Sequence, residues 1–325
     1  MSLGGPPNDP QPAMPRRSLV KCPATGHCGG VPIRAAAHLL AIACGLLVAA
    51  CGADQSPTPG ALPSTALPDG KQIRPGVVAA VTEPIGEPAG DIVVLVPGGG
   101  WVSADPSGLA PLAEDLAARG ATVVTLTYRT ARDGVYFPEP VDDVECGIAF
   151  AAATAEGAVA AQEPQSDPMI TVVGHSAGAQ LSAVAALNPT TSGDPDCPYP
   201  PARADALIGL AGPYDVVAAE RQAVNLFGPQ YPRLDQWDPG NPIVLAAERP
   251  ELPVLLVHGE DDPLVPASVS ATFSQALDEG GHSVDLQVLG GVDHDSVYGA
   301  DVAGPIIASW LGLDAMAREA DPETR

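Results

Sequence analysis

A serine lies in a sequence context that is typical of an enzyme nucleophile. Residues 169–178 read MITVVGHSAG, so an apolar run leads into a G-x-S-x-G motif centred on Ser176, and an alanine-rich segment follows. The motif alone occurs by chance, but a nucleophile elbow requires a strand, a sharp turn and a helix in this order. The pattern therefore predicts that Ser176 projects from the end of a strand, where the N-terminus of the next helix favours a developing oxyanion.

A serine hydroxyl is a weak nucleophile unless a general base accepts its proton. The expected chain order is serine, then an acidic residue, then histidine. The sequence HGEDDPLVP follows the apolar run 254–257, and LGGVDH follows the run 284–288. We therefore expect His294 to be the base and Asp262 to orient its imidazole. Asp261 remains the alternative, because periodicity does not separate neighbouring loop residues.

The other histidines of this region are less suitable as the base. His282 precedes its strand, which places it at the wrong edge of a parallel sheet. His258 closes its strand too early and is expected to be packed, and His175 flanks the nucleophile but is expected to point elsewhere. No C-x-x-C pair with partner His or Cys residues occurs in the sequence, so no metal site is expected.

A glycine-rich segment, PGGGW at 97–101, follows the apolar run 92–96. Glycines let a backbone bend so that its N–H groups face a bound carbonyl, as an oxyanion hole requires. A phosphate-binding turn is the alternative, but it needs a G-x-G-x-x-G that opens a helix, and none follows. The amide of Ala177, the residue after the nucleophile, is expected to donate as well. No organic cofactor is implied.

In chain order, the motifs PGGGW, GHSAGA, GPYD at 212–215, HGEDDPLVP and GVDH resemble the esterase/lipase branch of the α/β-hydrolase superfamily, with its HGGG-W type oxyanion loop. The resemblance covers residues 77–312 and is strongest to carboxylesterase, feruloyl-esterase-like and arylformamidase-like proteins. It implies one α/β-hydrolase domain, oxyanion donors at Gly99 and Gly100, and support for Asp262. The family histidine before the glycines is Pro97 here, which keeps the later backbone donors but leaves loop rigidity and substrate preference open.

The resemblance implies a serine hydrolase that cleaves small or medium esters through an acyl-enzyme, with a small-molecule ester as its partner. An arylformamidase or other amide-type hydrolase is the nearest alternative. A non-catalytic binding lipoprotein on a hydrolase scaffold is disfavoured, because every triad member is present. Aromatic residues make up only 4% of the chain, which argues against a lipase. Four aromatic residues are nevertheless candidates to line a pocket: Trp101, Tyr214, Phe227 and Trp237.

The elements that must position these residues follow from apolar runs with Gly or Pro at their ends. The runs predict strands at 77–81, 92–96, 122–127, 170–173, 206–210, 254–257 and 284–288. Helices are predicted at 109–118, 141–153, 177–187, 268–277 and 302–311. This alternation predicts a mostly parallel α/β sheet with helices on both faces. The irregular segments 188–203 and 211–250 are expected to form a lid at the carboxyl ends of the strands.

The N-terminal region is read as an export signal. Residues 35–50 form an apolar run after several Arg and Lys residues, and VAAC at 48–51 resembles the bacterial lipobox, in which the cysteine is lipidated. We therefore predict a lipoprotein-type signal peptide at 1–50, lipidation of Cys51, a Pro-rich tether at 51–76 and a C-terminal tail at 313–325. An ordinary cleaved signal is the alternative. Arg16 and Arg17 resemble a twin-arginine signal, so the export route stays open.

The net charge limits the binding partners that are expected, and the cysteine content indicates a disulfide. The chain has 15 basic and 39 acidic residues and a net charge of −24, which disfavours nucleic acid and anionic lipid surfaces. Contact with the membrane is therefore expected only through the lipid anchor, with the globular domain outside the cytoplasm. Removal of the signal and lipidation of Cys51 leave Cys146 and Cys197, which are expected to form a disulfide. Two buried thiols are the alternative.

Overall fold

The apolar runs of the sequence form the centre of one sheet. The computed structural model describes residue 67 and residues 69–85, 88–159, 168–191 and 193–313. The strands of this sheet are β1 (Lys71–Arg74), β2 (Val77–Thr82), β3 (Ile92–Val96), β4 (Thr122–Leu126), β5 (Ile170–His175), β6 (Ala206–Leu210), β7 (Val254–Gly259) and β8 (Val284–Leu289). Among the described residues the strand order across the sheet is β1-β2-β4-β3-β5-β6-β7-β8. β2 runs antiparallel to both its neighbours, and all neighbouring pairs from β4 to β8 in this order are parallel.

Helices cover both faces of the sheet. They are α1 (Ala110–Ala118), α2 (Glu139–Val159), α3 (Ala177–Leu187), α4 (Glu220–Phe227), α5 (Ala267–Gly280) and α6 (Ala303–Leu311). Alternate side chains of β3 point to opposite faces, so Val94 packs in a core with α2, α3 and α5, whereas Val93 packs with α1 and α6. Because both faces are covered, β3, β5, β6 and β7 are buried along their whole length. The predicted fold class is confirmed.

The parallel strands bring four connecting loops to one edge of the sheet. The segments that follow β3, β5, β7 and β8 all begin at the carboxyl ends of parallel strands. They carry the glycine-rich segment, Ser176, Asp262 and His294 respectively. Residues that are far apart in the chain are therefore assembled at the edge where such folds bind ligands.

The structure contains a strand and a helix that the sequence analysis missed. β1 lies inside the segment predicted as a tether, and its Arg74 is buried. The Arg74 guanidinium lies 3.3 Å from Asp143 and 2.6 Å from Asp194, so its charge is paired. The missed helix is α4, within the segment 211–250.

One half of the predicted lid is elsewhere. Because α3 carries the chain back from the carboxyl edge of the sheet, the segment 188–203 begins at the amino edge, and the expectation that it covers the pocket is wrong. It contributes instead to a separate cavity of about 230 Å³ beside α2. The predicted disulfide joins this segment to α2, with Cys146 and Cys197 5.6 Å apart at their Cα atoms.

The predicted signal peptide, Cys51 and residues 314–325 lie outside the described residues. Within the described ranges, no helix combines the length and the apolar character that a bilayer crossing requires.

Candidate active site

Ser176 occupies a sharp turn between β5 and α3. Its backbone has φ 52° and ψ −121°, a conformation that non-glycine residues rarely adopt and that is held here by the surrounding structure. The Ser176 amide donates a hydrogen bond to the carbonyl of Leu210 on the neighbouring strand, at 2.9 Å. A Cβ at Gly178 would overlap the carbonyl oxygens of Val96 and Pro97. The second glycine of the motif therefore lets α3 approach the end of β3. The turn around Ser176 has the strand-turn-helix geometry of the predicted nucleophile elbow.

Three predicted residues form one hydrogen-bonded line. Nε2 of His294 lies 2.8 Å from Oγ of Ser176, and Nδ1 of His294 lies 2.6 Å from Oδ2 of Asp262. A carboxylate only accepts, so Nδ1 carries the proton and the lone pair of Nε2 faces the hydroxyl. Asp261 is not part of this line, because its amide bonds to the Val292 carbonyl and its side chain is exposed. Of the two acidic candidates, the structure brings Asp262 to the imidazole.

The carboxylate of Asp262 is held by backbone donors as well. The amides of Leu264 and Val265 both donate to Oδ1 at 2.8 Å. Burial opposes ionisation, but the hydrogen bonds from Val265, His294 and Leu264 outweigh it and lower the pKa of Asp262 below its ordinary value. The group is therefore an anion at neutral pH with a fixed orientation.

A second histidine lies against the same carboxylate. His258 is packed, as predicted, but its Nε2 also lies 3.2 Å from Oδ2 of Asp262 and 2.8 Å from the Val265 carbonyl oxygen. Its Nδ1 lies 2.6 Å from Oγ of Ser270 on α5. Burial lowers the pKa of His258, so the ring is neutral. This contact was not predicted from the sequence, where the four-residue spacing between His258 and Asp262 in the HGEDD motif was the available signal.

His175 also differs from its prediction. It was expected to point away from the site, but its ring lies in the cavity wall, with centroids 4.9 Å from His294 and 4.4 Å from Tyr298. Its Nε2 donates to the backbone carbonyl of His294 at 2.9 Å. Burial, together with the charge of a protonated His294, lowers the pKa of His175 to about 3, so it stays neutral. His282, by contrast, lies away from the cavity and bonds to the Leu252 carbonyl.

Ser176 and His294 open into a cavity of about 650 Å³. All three predicted oxyanion residues, Gly99, Gly100 and Ala177, line the same cavity. Gly99 has φ +132° and Gly100 has φ +59°, conformations that L side chains rarely adopt. Ala177 is the first residue of α3, where backbone N–H groups have no intrahelical acceptor.

The glycine-rich segment is anchored to α3 by a side-chain bridge that the sequence analysis did not find. The indole Nε1 of Trp101 donates to Oε1 of the buried Gln180 at 2.8 Å. Nε2 of Gln180 in turn donates to the carbonyl of Gly240 at 2.7 Å. The amide of Ala131 donates to the carbonyl of Trp101 at 3.0 Å, which fixes the segment from its other side. The loop is therefore fastened without the family histidine.

Within the predicted lid segment 211–250, the residues that line the cavity lie between 213 and 222: Pro213, Asp215, Ala218, Ala219 and Gln222. Of the four aromatic candidates, only Trp101 lines it. The other three are in the core, where Tyr214 stacks on Phe273 with centroids 4.4 Å apart and Phe227 stacks on Trp237 at 4.5 Å. Among the Asp, Glu, Lys and Arg residues of the described chain, those that line the cavity are the aspartates Asp105, Asp215 and Asp295, here called the cavity aspartates.

Known esterases resemble this chain in sequence. The BD-FAE family model matches residues 83–277, more than half of the chain. The chain is similar to Esterase LipQ of Mycobacterium tuberculosis, with 29% identity over 234 residues that cover 67% of this chain and 53% of LipQ. It is also similar to the probable isoprenylcysteine alpha-carbonyl methylesterase ICME of Oryza sativa subsp. japonica, with 28% identity over 252 residues that cover 71% of this chain and 59% of that protein. The chain thus spans little more than half the length of these two relatives.

A solved structure shows the same fold. The acetyl ester-xyloside bifunctional hydrolase from Caldicellulosiruptor lactoaceticus superposes with a TM-score of 0.59 and 18% sequence identity, over 75% of this chain and 88% of that one. At this identity the likeness concerns architecture, and it agrees with the mostly parallel sheet described above.

Proposed function

This chain belongs to the BD-FAE family, and on that premise we propose that it is a serine carboxylesterase that cleaves small or medium esters through an acyl-enzyme. The observation that carries the proposal is the hydrogen-bonded line from Asp262 through His294 to Ser176, with spacings of 2.6 and 2.8 Å, at the wall of a cavity. The nucleophile lies within hydrogen-bonding reach of the base, and the base lies within reach of the orienting acid, as this chemistry requires.

In the proposed acylation step, Oγ of Ser176 attacks the ester carbonyl carbon while Nε2 of His294 takes the hydroxyl proton. The electron pair of the C=O bond moves to oxygen, where the amides of Gly99, Gly100 and Ala177 stabilise it. Asp262 stabilises the imidazolium that forms. The C–O bond then breaks, His294 gives its proton to the departing alkoxide, and the alcohol leaves.

Deacylation repeats the sequence with water. His294 takes a proton from a water molecule, the resulting hydroxide attacks the acyl carbon, and the carboxylic acid is released as Oγ of Ser176 recovers its proton from His294. The reaction needs only these side chains, the backbone donors and water.

The walls of the cavity support a substrate class. A volume of about 650 Å³ is within the range of pockets that hold drug-sized ligands, so a medium-sized ester fits. Apolar side chains, including Leu109, Leu264 and Val269, line much of the remaining surface. The cavity aspartates repel a carboxylate on the substrate. We therefore propose neutral or cationic esters as substrates, in preference to anionic ones.

We also propose that the enzyme is exported and held at the extracytoplasmic face of the cell membrane by a lipid on Cys51. The Cys146–Cys197 disulfide supports export, because such bonds persist in oxidising compartments. Growth with an alkyne-tagged fatty acid should label the wild-type protein in the membrane fraction. Cys51→Ala should be unlabelled, and a labelled Cys51→Ala protein would contradict lipidation at this residue.

A covalent probe tests the catalytic proposal. A fluorophosphonate should label the wild-type protein and fail on Ser176→Ala, which is expected to reduce kcat by about 10⁶-fold. Ser103→Ala is the matched control, because Ser103 lines the same cavity but lies outside the hydrogen-bonded line, and it should label normally. Equal labelling of Ser176→Ala and wild type, or no labelling of the folded wild type, would overturn the assignment. Parallel assays with p-nitrophenyl acetate and a formanilide measure ester against amide cleavage.

A further inference from the structure

We infer that His258, oriented by Ser270, is a positioning residue for the proposed esterase: it clamps the carboxylate of Asp262 at the oxygen that His294 uses. This inference rests on the proposed function, because holding Asp262 in place affects the reaction rate only if Ser176, His294 and Asp262 are the catalytic residues. His258 contacts the same Asp262 oxygen as His294 but does not line the cavity, so it acts through Asp262 and not on the substrate.

The carboxylate of Asp262 has partners at both oxygens. Oδ1 accepts two backbone amides, from Leu264 and Val265. Oδ2 lies between two imidazoles, at 2.6 Å from Nδ1 of His294 and 3.2 Å from Nε2 of His258. The side chains of Asp262 and His258 are both fully buried. A buried carboxylate with this many donors has little freedom to rotate away from His294.

Hydrogen bonding defines the tautomer of His258. The Val265 carbonyl, 2.8 Å from Nε2, can only accept, so Nε2 carries the proton and shares it between this carbonyl and Oδ2 of Asp262. In the neutral ring Nδ1 is then an acceptor, and Oγ of Ser270 donates to it at 2.6 Å. Ser270 is itself buried in the first turn of α5, so its hydroxyl has a fixed position.

The clamp also holds the turn that carries the carboxylate. Val265 donates its amide to Asp262 and accepts from His258 through its carbonyl, so one residue joins both groups. The adjoining Leu264 and Val265 line the cavity. Loss of the His258 bonds would free the carboxylate and the turn that carries it. A displacement of about 1 Å in such a site typically costs about 10²-fold in rate.

Three variants and one control separate positioning from general stability. His258→Leu removes all three polar contacts of the imidazole, with Val265, Asp262 and Ser270, and should lower kcat about 10²-fold with little change in KM. His258→Gln keeps a donor toward Val265 and Asp262 and an acceptor toward Ser270, and it should recover most of that loss. Ser270→Ala, the mildest change, should give an intermediate kcat. His282→Leu is the control, because His282 is also buried and bonded to a backbone carbonyl, but away from the site.

A spectroscopic readout is independent of turnover. In protein labelled with ¹⁵N-histidine, the proton on Nδ1 of His294 should give a strongly downfield signal from its 2.6 Å bond to Asp262. His258→Leu should move or broaden this signal, whereas His258→Gln and His282→Leu should keep it.

The results distinguish the two proposals. If the folded wild type neither turns over esters nor reacts with a fluorophosphonate, the proposed function fails, and the downfield signal still tests the clamp. If the wild type is active but His258→Leu keeps its kcat and its signal, the clamp is refuted. The clamp is also refuted if His282→Leu is impaired as strongly as His258→Leu, or if His258→Gln restores nothing.

Discussion

The disulfide between α2 and the segment 188–203 makes a quantitative prediction about stability. It closes a loop with a sequence separation of 51 residues. In the chain-entropy description, a cross-link of this span stabilises the fold by about 4 kcal/mol, because it restricts the unfolded chain. For a domain of this size each kcal/mol corresponds to about 2–4 °C. We therefore expect Cys146→Ala/Cys197→Ala to lower the Tm by about 8–16 °C.

Catalysis should survive this change at 25 °C. Neither cysteine lines the catalytic cavity, and the ion pair between the buried Arg74 and the partly exposed Asp194 still holds the segment when the disulfide is absent. The assay is thermal unfolding followed by circular dichroism, with ester turnover measured on the same samples. Reductant is the control, since it should destabilise the wild type to a similar degree and leave the double variant unchanged. A shift below about 3 °C, with the wild-type bond verified by peptide mapping, would refute the loop-closure reasoning.

Three further predictions concern the site itself. Gly178→Ala should lower kcat about 10²-fold, because the new methyl group must push α3 and Ser176 away from the end of β3. The measurement is steady-state ester hydrolysis, with Gly290→Ala as the control, because a methyl group there meets only the end of the Glu260 side chain. Burial lowers the pKa of His175 from 6.5 to about 3, so at pH 5 the unfolded state is protonated there and the folded state is not. The free energy of unfolding should therefore fall as the pH drops below about 6.5. In urea unfolding, the decrease between pH 7 and pH 5 should be about 2 kcal/mol smaller for His175→Gln than for the wild type. The cavity aspartates should make kcat/KM for a hemisuccinate ester lower than for its neutral analogue, with a gap that narrows as salt is raised.

Three results would contradict the predictions for Gly178, His175 and the cavity aspartates. A Gly178→Ala enzyme with wild-type kcat would show that the close approach of α3 to β3 is unimportant. Parallel loss of stability in wild type and His175→Gln would remove His175 as the titrating group. A salt-independent preference between the two esters would show that it arises from shape and not from charge.

Much of the fold follows from local pattern. The predicted strands at 92–96 and 206–210 coincide with β3 and β6, because buried parallel strands are short runs of apolar residues between turns. The helix predicted at 177–187 coincides with α3. β1 was missed because its four residues lie in a Pro-rich segment that was predicted to be a tether. The buried charge of Arg74 is neutralised by Asp143 on α2, and a local pattern does not contain that pairing.

The site was predictable as far as motif order reaches. Chain order and strand ends identify Ser176 and His294, whereas Asp262 could not be separated from Asp261 without the orientation of the loop. The contact of His258 with Asp262 depends on how α5 and the turn after β7 pack, since Ser270 and the Val265 carbonyl hold the two ring nitrogens of His258. The misplaced lid at 188–203 has a topological cause, because a loop after a helix begins at the opposite edge of the sheet from a loop after a strand.

Because His294 follows β8, the activity depends on the stability of this strand. β8 is the outermost strand on its side of the sheet, pairs only with β7 among the described strands, and has no fully buried residue. Marginal strands open locally at a lower free energy than the whole structure. If β8 detaches, the imidazole leaves with it while the central strands stay paired. Mild heat or denaturant should therefore abolish ester hydrolysis before global unfolding is detected. Loss of activity would then report local unfolding at the β8 edge of the sheet.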